Sequence, residues 1–263
     1  MTAPDPAARV FPRIGSYRQD IVKSDDGLNW IIGKGTNDGL AVNHEMLPAG
    51  ASIHEWICGQ FGPGLVFLDI GAHVGHYTVR AAAAGCTVYA VEANPESAAQ
   101  LRLNLHLNKL SDRVTVWAFA AWDKHEMLDY QAAEVAWGLR NGSATLASPA
   151  GHHPIGIRVA AVPLGPLLRD LPDLDLVKMD VEGADLHVLD GMLIQLAALR
   201  PLLIFESHTF YNTYTDSDMA EREGELARLC GYRWCDLTDL GVKSPERFRI
   251  GIPPGSGLGP GNG

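Results

Sequence analysis

An apolar run that ends in an acid and breaks at once into a glycine turn leaves a chain few folds to choose from. Val66-Phe67-Leu68-Asp69-Ile70-Gly71-Ala72-His73-Val74-Gly75 is such a run. A helical stretch, Tyr77 to Ala84, follows and stops at Gly85, and a second apolar strand, Thr87 to Val91, ends in Glu92. Strand, turn, helix and strand, with a carboxylate at the carboxyl end of each strand, form a crevice suited to a nucleoside. Glycines let a backbone approach the ligand, and the second acid can accept from two ribose hydroxyls.

The glycine spacing narrows the ligand. A pyrophosphate-binding turn reads G-x-G-x-x-G and points a helix N-terminus at the phosphates. Here His73 and His76 stand where the second and third glycines would be. S-adenosylmethionine has no phosphate and carries an amino-acid end plus a ribose. Asp69 is placed to meet its ammonium, directly or through water, and Glu92 its ribose diol. S-adenosylmethionine is therefore the expected cofactor.

The rest of the chain fits one large α/β domain: 263 residues, 46% hydrophobic and 20% charged, enough to bury a sizeable core. From residue 65 strands and helices alternate, which predicts a doubly wound, mostly parallel Rossmann-like sheet with helices on both faces. Strands are expected at Arg113 to Phe119, Leu174 to Met179, Pro201 to Phe205 (ending in Glu206), Tyr232 to Cys235 and Phe248 to Ile252. Helices are expected at Asn94 to Asn108, Asp185 to Leu199 and Asp218 to Cys230, with residues 125–162 as hairpin or insertion. Residues 1–60 read as an N-terminal cap, with a hairpin around Asp25-Asp26-Gly27 and a helix over Pro48 to Phe61. Residues 61–252 read as the main domain, and the Gly/Pro-rich residues 253–263 as a disordered tail.

Twenty-one basic against 31 acidic residues give a net charge of −10 without a basic run, which speaks against nucleic acid as the main partner. The start lacks a signal-peptide pattern and no segment approaches a membrane span of about 18 apolar residues. A cytoplasmic protein without a membrane partner is expected. Cys58, Cys86, Cys230 and Cys235 form no C-x-x-C pair and read as reduced thiols in or near the core.

A second dense segment is Leu176-Val177-Lys178-Met179-Asp180-Val181-Glu182-Gly183-Ala184-Asp185. In a strand Lys178 and Asp180 share one face while Val177 and Met179 take the other. Lys178 and Asp180 then emerge at the carboxyl edge, where open α/β sheets bind ligands. A salt-bridged strand end, with Glu182 favoured by a helix N-terminus, is the purely structural alternative.

With these residues in hand, the chain resembles the FkbM-type S-adenosylmethionine-dependent methyltransferases. The likeness lies in Asp69 to Thr78, Val91-Glu92-Ala93-Asn94-Pro95, Leu103-Asn104, and Lys178 to Asp185 with Val188-Leu189 and Gly191, followed by Pro201 to Glu206. Two departures are His73, where the family commonly has Asn, and Glu92-Ala93-Asn94-Pro95 in place of the more usual Glu-Pro-x-Pro. The resemblance implies a class I methyltransferase fold and methyl transfer to a hydroxyl oxygen of a sugar, polyketide or related natural product. It implies that Asp69, Gly71 and Gly75 hold the methionine end, which His73 could alter. Glu92 would hold the ribose and Asp123 meet the adenine amino group, with Ala93, Asn94 and Ala121 as further cofactor contacts; Trp122 either lines the adenine pocket or packs in the core.

Candidates for catalysis are Lys178, Asp180, Glu182, Glu206 and His208. They could take the hydroxyl proton or orient the acceptor, pair purely structurally, or hold a divalent metal with His208; no metal is assigned. His73 and His76 could touch ligand, whereas His44, His54, His125 and His187 receive no role. Trp137, Tyr211 and Tyr214 could wall the acceptor or simply pack. The expected partner is a small hydroxylated molecule, and a homo-oligomer stays open. The alternative reading is a cofactor-binding or partner-binding module without turnover; a dehydrogenase is disfavoured by the glycine spacing.

Overall fold

The computed structural model describes residues 19–33, 48–132, 142–143, 155–171, 173–207, 214–242, 248–256 and 258. Its strands are β1 (Gln19–Lys23), β2 (Asn29–Gly33), β3 (Val66–Ile70), β4 (Thr87–Val91), β5 (Val114–Trp117), β6 (Ala120–Trp122), β7 (Glu126–Ala132), β8 (Gly142–Ser143), β9 (Ile155–Pro163), β10 (Leu176–Met179), β11 (Leu202–Glu206), β12 (Arg233–Asp236) and β13 (Phe248–Ile252). Its helices are α1 (Pro48–Cys58), α2 (His76–Ala83), α3 (Pro95–Leu107), α4 (Gly165–Leu168), α5 (Asp185–Leu199) and α6 (Asp216–Cys230).

Seven strands form one sheet in the order β12-β13-β11-β10-β3-β4-β5. β13 is antiparallel to both of its neighbours, and the other pairs are parallel. The order reverses between β3 and β10, and the crevice at such a switch point is where ligands bind in open α/β sheets. Both strands are apolar runs buried on two faces, as a central parallel strand requires. Leu68, Ile70, Val177, Met179, Leu203 and Phe205 look toward α5 and α6. Phe67, Val88, Leu176 and Ile204 look the other way, toward Ile53 and Ile57 of α1 and Ala81 and Ala82 of α2.

Local sequence explains the helix ends. Asn94 caps α3 by accepting from the Glu96 amide, with Pro95 at the first position, where its missing N–H costs nothing. Thr215 and Asp218 form a capping box that starts α6 at Asp216, two residues before the expected start, and Gly231 ends it in the left-handed region.

Two expectations need correction. The third strand stops at Trp117 rather than Phe119, and the chain re-enters as β6 in a second sheet ordered β6-β9-β7-β8. Residues 125–162 are thus partly a long β7–β9 hairpin, with β6 running parallel to β9. The described part of residues 1–60 packs directly on the main domain. Trp30 is fully buried with Val79, Leu101 and Leu105, and Asn108 just past α3 and Asn104 within it accept from the amides of Asn29 and Ile31. The described part of the tail is anchored too: Arg233 donates to the Leu258 carbonyl at 2.9 Å, and Leu258 packs beside the α1 cluster. All four cysteines are free thiols, three buried and Cys58 half-buried.

Candidate functional site

The register sets Asp69 on β3 level with Lys178 on β10. Their alternation places both on the face that carries α2. Lys178 is buried, with its Nζ 3.3 Å from Asp180 Oδ2 and 3.9 Å from Asp69 Oδ1, and 5.2 Å from the centre of the Tyr77 ring. Burial alone would pull the ammonium's pKa down. Asp180 and Asp69 beside it, with help from Glu206, outweigh that and hold it above its ordinary value. Parallel pairing sets Met179 level with Phe205, so Asp180 and Glu206 leave adjacent strand ends together. Lys178 thus joins the acid of the glycine turn to two acids at the carboxyl ends of β10 and β11.

Asp69 is almost fully buried, and burial raises its pKa against the pull of Lys178 and of Thr78. Thr78 Oγ1 donates to Asp69 Oδ2 at 2.6 Å. The other oxygen, Oδ1, is buried without a hydrogen-bond partner among the described residues. An acceptor oxygen held in this way is completed by a cationic donor such as an ammonium, or by a water between them. Glu92 is buried as well. Its Oε2 accepts from the His73 amide and its Oε1 from the Asn94 amide, each at 2.7 Å. A carboxylate has about four acceptor positions, so one remains on each oxygen for a vicinal diol. Burial pushes the Glu92 pKa up to about 7 in spite of those two amides. Buried acceptors at both strand ends fit the amino-acid and ribose ends of S-adenosylmethionine.

The glycines of the turn face protein rather than open space. Gly71, at φ 79°, lies so close to β10 that a Cβ there would meet the Asp180 carbonyl oxygen at 1.8 Å. A Cβ at Gly75, at φ 99°, would meet Leu101 of α3 at 2.4 Å. His73 is left-handed at φ 51°, as is Glu182 at φ 53° just before Gly183. Asn, Asp and His enter that region more readily than other side chains, which accounts for a His where the resembling family has Asn. Strained backbone at both site-forming turns is the usual mark of a ligand-binding edge.

The remaining expected residues fare differently. Asn94 spends its side chain on capping α3, and Ala93 packs against the main core. Ala121 is buried in β6, level with Val162 of β9. Asp123 Oδ2 pairs with Nδ1 of His187 on α5 at 3.0 Å. His187 stacks on Trp122 with ring centres 3.8 Å apart, and Trp122 is a buried core residue that donates to Glu126. His187 was invisible to sequence reasoning because its partners come from a strand more than 60 residues away. Tyr214 is no open aromatic wall: it is buried and donates to Asp185 Oδ2 at 2.9 Å. His208, Trp137 and Tyr211 lie outside the described residues. Among the described residues no group of three His, Cys, Asp or Glu is arranged to hold a metal, and no helix is long and apolar enough to cross a membrane.

Comparison with known proteins agrees with this geometry. The model of the methyltransferase FkbM domain matches residues 69–234. A methyltransferase FkbM from Methylobacillus flagellatus superposes with a TM-score of 0.51 at 13% identity, over 73% of this chain and 44% of that one. An S-adenosylmethionine-dependent methyltransferase from Agrobacterium tumefaciens superposes with a TM-score of 0.50 at 14% identity, over 93% of this chain and 72% of that one. Among curated proteins, a mouse tRNA (guanine(37)-N(1))-methyltransferase is 31% identical over 126 residues, 48% of this chain but only 24% of that enzyme's length. With the family's domain matched from Asp69 to Trp234 in β12, the chain belongs to the FkbM methyltransferases and has the fold of S-adenosylmethionine-dependent enzymes.

Proposed function

We propose that this protein is an S-adenosylmethionine-dependent O-methyltransferase acting on a hydroxyl of a small, uncharged molecule such as a sugar or polyketide. The observation that carries this reading is the Lys178 bridge, 3.9 Å from Asp69 and 3.3 Å from Asp180. It sets a cofactor acid and an acceptor-edge acid on either side of one ammonium. When bound, S-adenosylmethionine supplies an electrophilic methyl carbon whose sulfur departs with the bonding electrons as a neutral thioether.

The chain's own part is to position, desolvate and deprotonate. Asp69 takes the ammonium end and Glu92 the ribose diol. Asp180 and Glu206 orient the acceptor hydroxyl, and one of them takes its proton as the new carbon–oxygen bond forms. Holding the two reactants in line is worth about 7–11 kcal/mol of barrier, and the base adds about 10²–10⁴-fold. Lys178 keeps the acids from repelling one another.

Similarity to tRNA methyltransferases supports a second reading, in which the acceptor is RNA. A net charge of −10 and acids at the acceptor edge favour a small neutral acceptor, because a polyanion needs a basic surface. Calorimetric titration with S-adenosylmethionine and its demethylated product, with NAD as control, tests the cofactor; micromolar binding lost in Asp69→Ala supports it. Methyl-group transfer to hydroxylated small molecules and to unmodified tRNA, assayed side by side, then decides the acceptor. Failure of the donor and its product to bind the folded protein sinks the enzymatic reading.

A further inference from the structure

A partly buried chain of polar side chains runs away from the site on the far side of Tyr77 and joins three segments. Arg80 of α2 reaches Asp26 of the β1–β2 hairpin at 2.6 Å and places its Nη1 3.3 Å from Nδ1 of His76. His76 Nε2 lies 2.7 Å from Nδ1 of His54 on α1, and His54 Nε2 lies 3.1 Å from the Cys58 sulfur. Arginine can only donate, so His76 Nδ1 accepts and the His76 proton sits on Nε2. His54 Nδ1 then accepts, its proton sits on Nε2, and Cys58 receives it. Among the described residues these hydrogen bonds run one way, from Arg80 to Cys58. The His54 ring also stacks on Tyr77 with centres 5.3 Å apart and an angle of 27° between planes, and Tyr77 is the ring that Lys178 faces.

The geometry points to His54 as a positioning residue for the cofactor cluster: it clamps α1 onto α2 and sets the Tyr77 ring against Lys178. This rests on the reading that Lys178 and Asp69 serve the cofactor.

Two measurements test this. The first follows modification of Cys58 by 4,4′-dithiodipyridine in a protein whose other cysteines are replaced by alanine, relative to the unfolded chain at the same pH. Protection at pH 8 should fall at least tenfold in His54→Ala. Equal protection in His54→Ala and the parent protein overturns the clamp. The second is the affinity for S-adenosylhomocysteine at pH 8. His54→Ala should bind about tenfold more weakly, whereas His54→Phe, which keeps a ring against Tyr77, should stay within about twofold. Equal affinity of His54→Ala and the parent overturns the positioning role. If even the parent protein fails to bind, the methyl-donor reading falls, while Cys58 protection still reports on the clamp.

Discussion

Glu92 is held at a cost. A carboxyl whose pKa rises from 4.5 to about 7 on folding binds more protons folded than unfolded across that window. Its contribution therefore turns against the folded state as pH rises from 4.5 to about 7, by on the order of 3 kcal/mol. A ribose diol donates to the ionised form. Affinity for S-adenosylmethionine should accordingly fall about tenfold per pH unit below 7, and Glu92→Gln should flatten that slope in calorimetric titrations from pH 5.5 to 8. At Gly71 the obstacle to any side chain is backbone, the carbonyl of Asp180, which cannot swing aside. Gly71→Ala should cost more than about 3 kcal/mol, read as loss of cooperative unfolding or of soluble protein. His73→Asn should be nearly neutral in stability, while His73→Val, stiff and branched at a left-handed position, should destabilise by about 1–2 kcal/mol. Most of this scale was legible in the sequence: acids at strand ends and glycines between them follow from local pattern. What the glycines face was not legible, because β10 lies over 100 residues downstream.

At the scale of elements, α3 shows how one polar residue can hold three segments. Asn104 is fully buried; its Nδ2 donates to the Val74 carbonyl of the cofactor turn and its Oδ1 accepts from the Ile31 amide of β2. Asn104→Ala leaves both backbone groups buried and unpaired, at about 1–3 kcal/mol each. Unfolding in denaturant should show a loss of that order, with faster hydrogen exchange at Val74 to Tyr77 and in β2. The start of α3 could be read from Asn94-Pro95, and α5 falls where its pattern placed it, because caps and periodicity are local signals. The second sheet could not be read in the same way. β6 is three residues long and owes its existence to pairing with β9, about 40 residues on. The relay from Arg80 to Cys58 was equally hidden: His54 and His76 lie 22 residues apart and share no sequence period.

Across the whole molecule the closing strands of the sheet are tied by charge. Arg249 on β13 meets Glu223 of α6 at 2.6 Å and Asp236 of β12 at 2.6 Å. Glu223 is buried, so Arg249→Met strands a carboxylate away from water and should cost about 3–5 kcal/mol. Thermal unfolding should fall by roughly 2–4 °C for each kcal/mol lost, and Glu223→Gln in the same background should recover part of it. The two turns at the centre of the sheet have a different kind of consequence. With the Asp180 carbonyl seated where a Gly71 side chain would be, the Gly71 turn and the Asp180 turn meet backbone to backbone, and neither shifts without moving the other. On the proposed function, with the donor at the first turn and the acceptor at the second, the two ligands share one coupling free energy. Whatever factor the methyl donor adds to acceptor affinity, the acceptor must return to the donor.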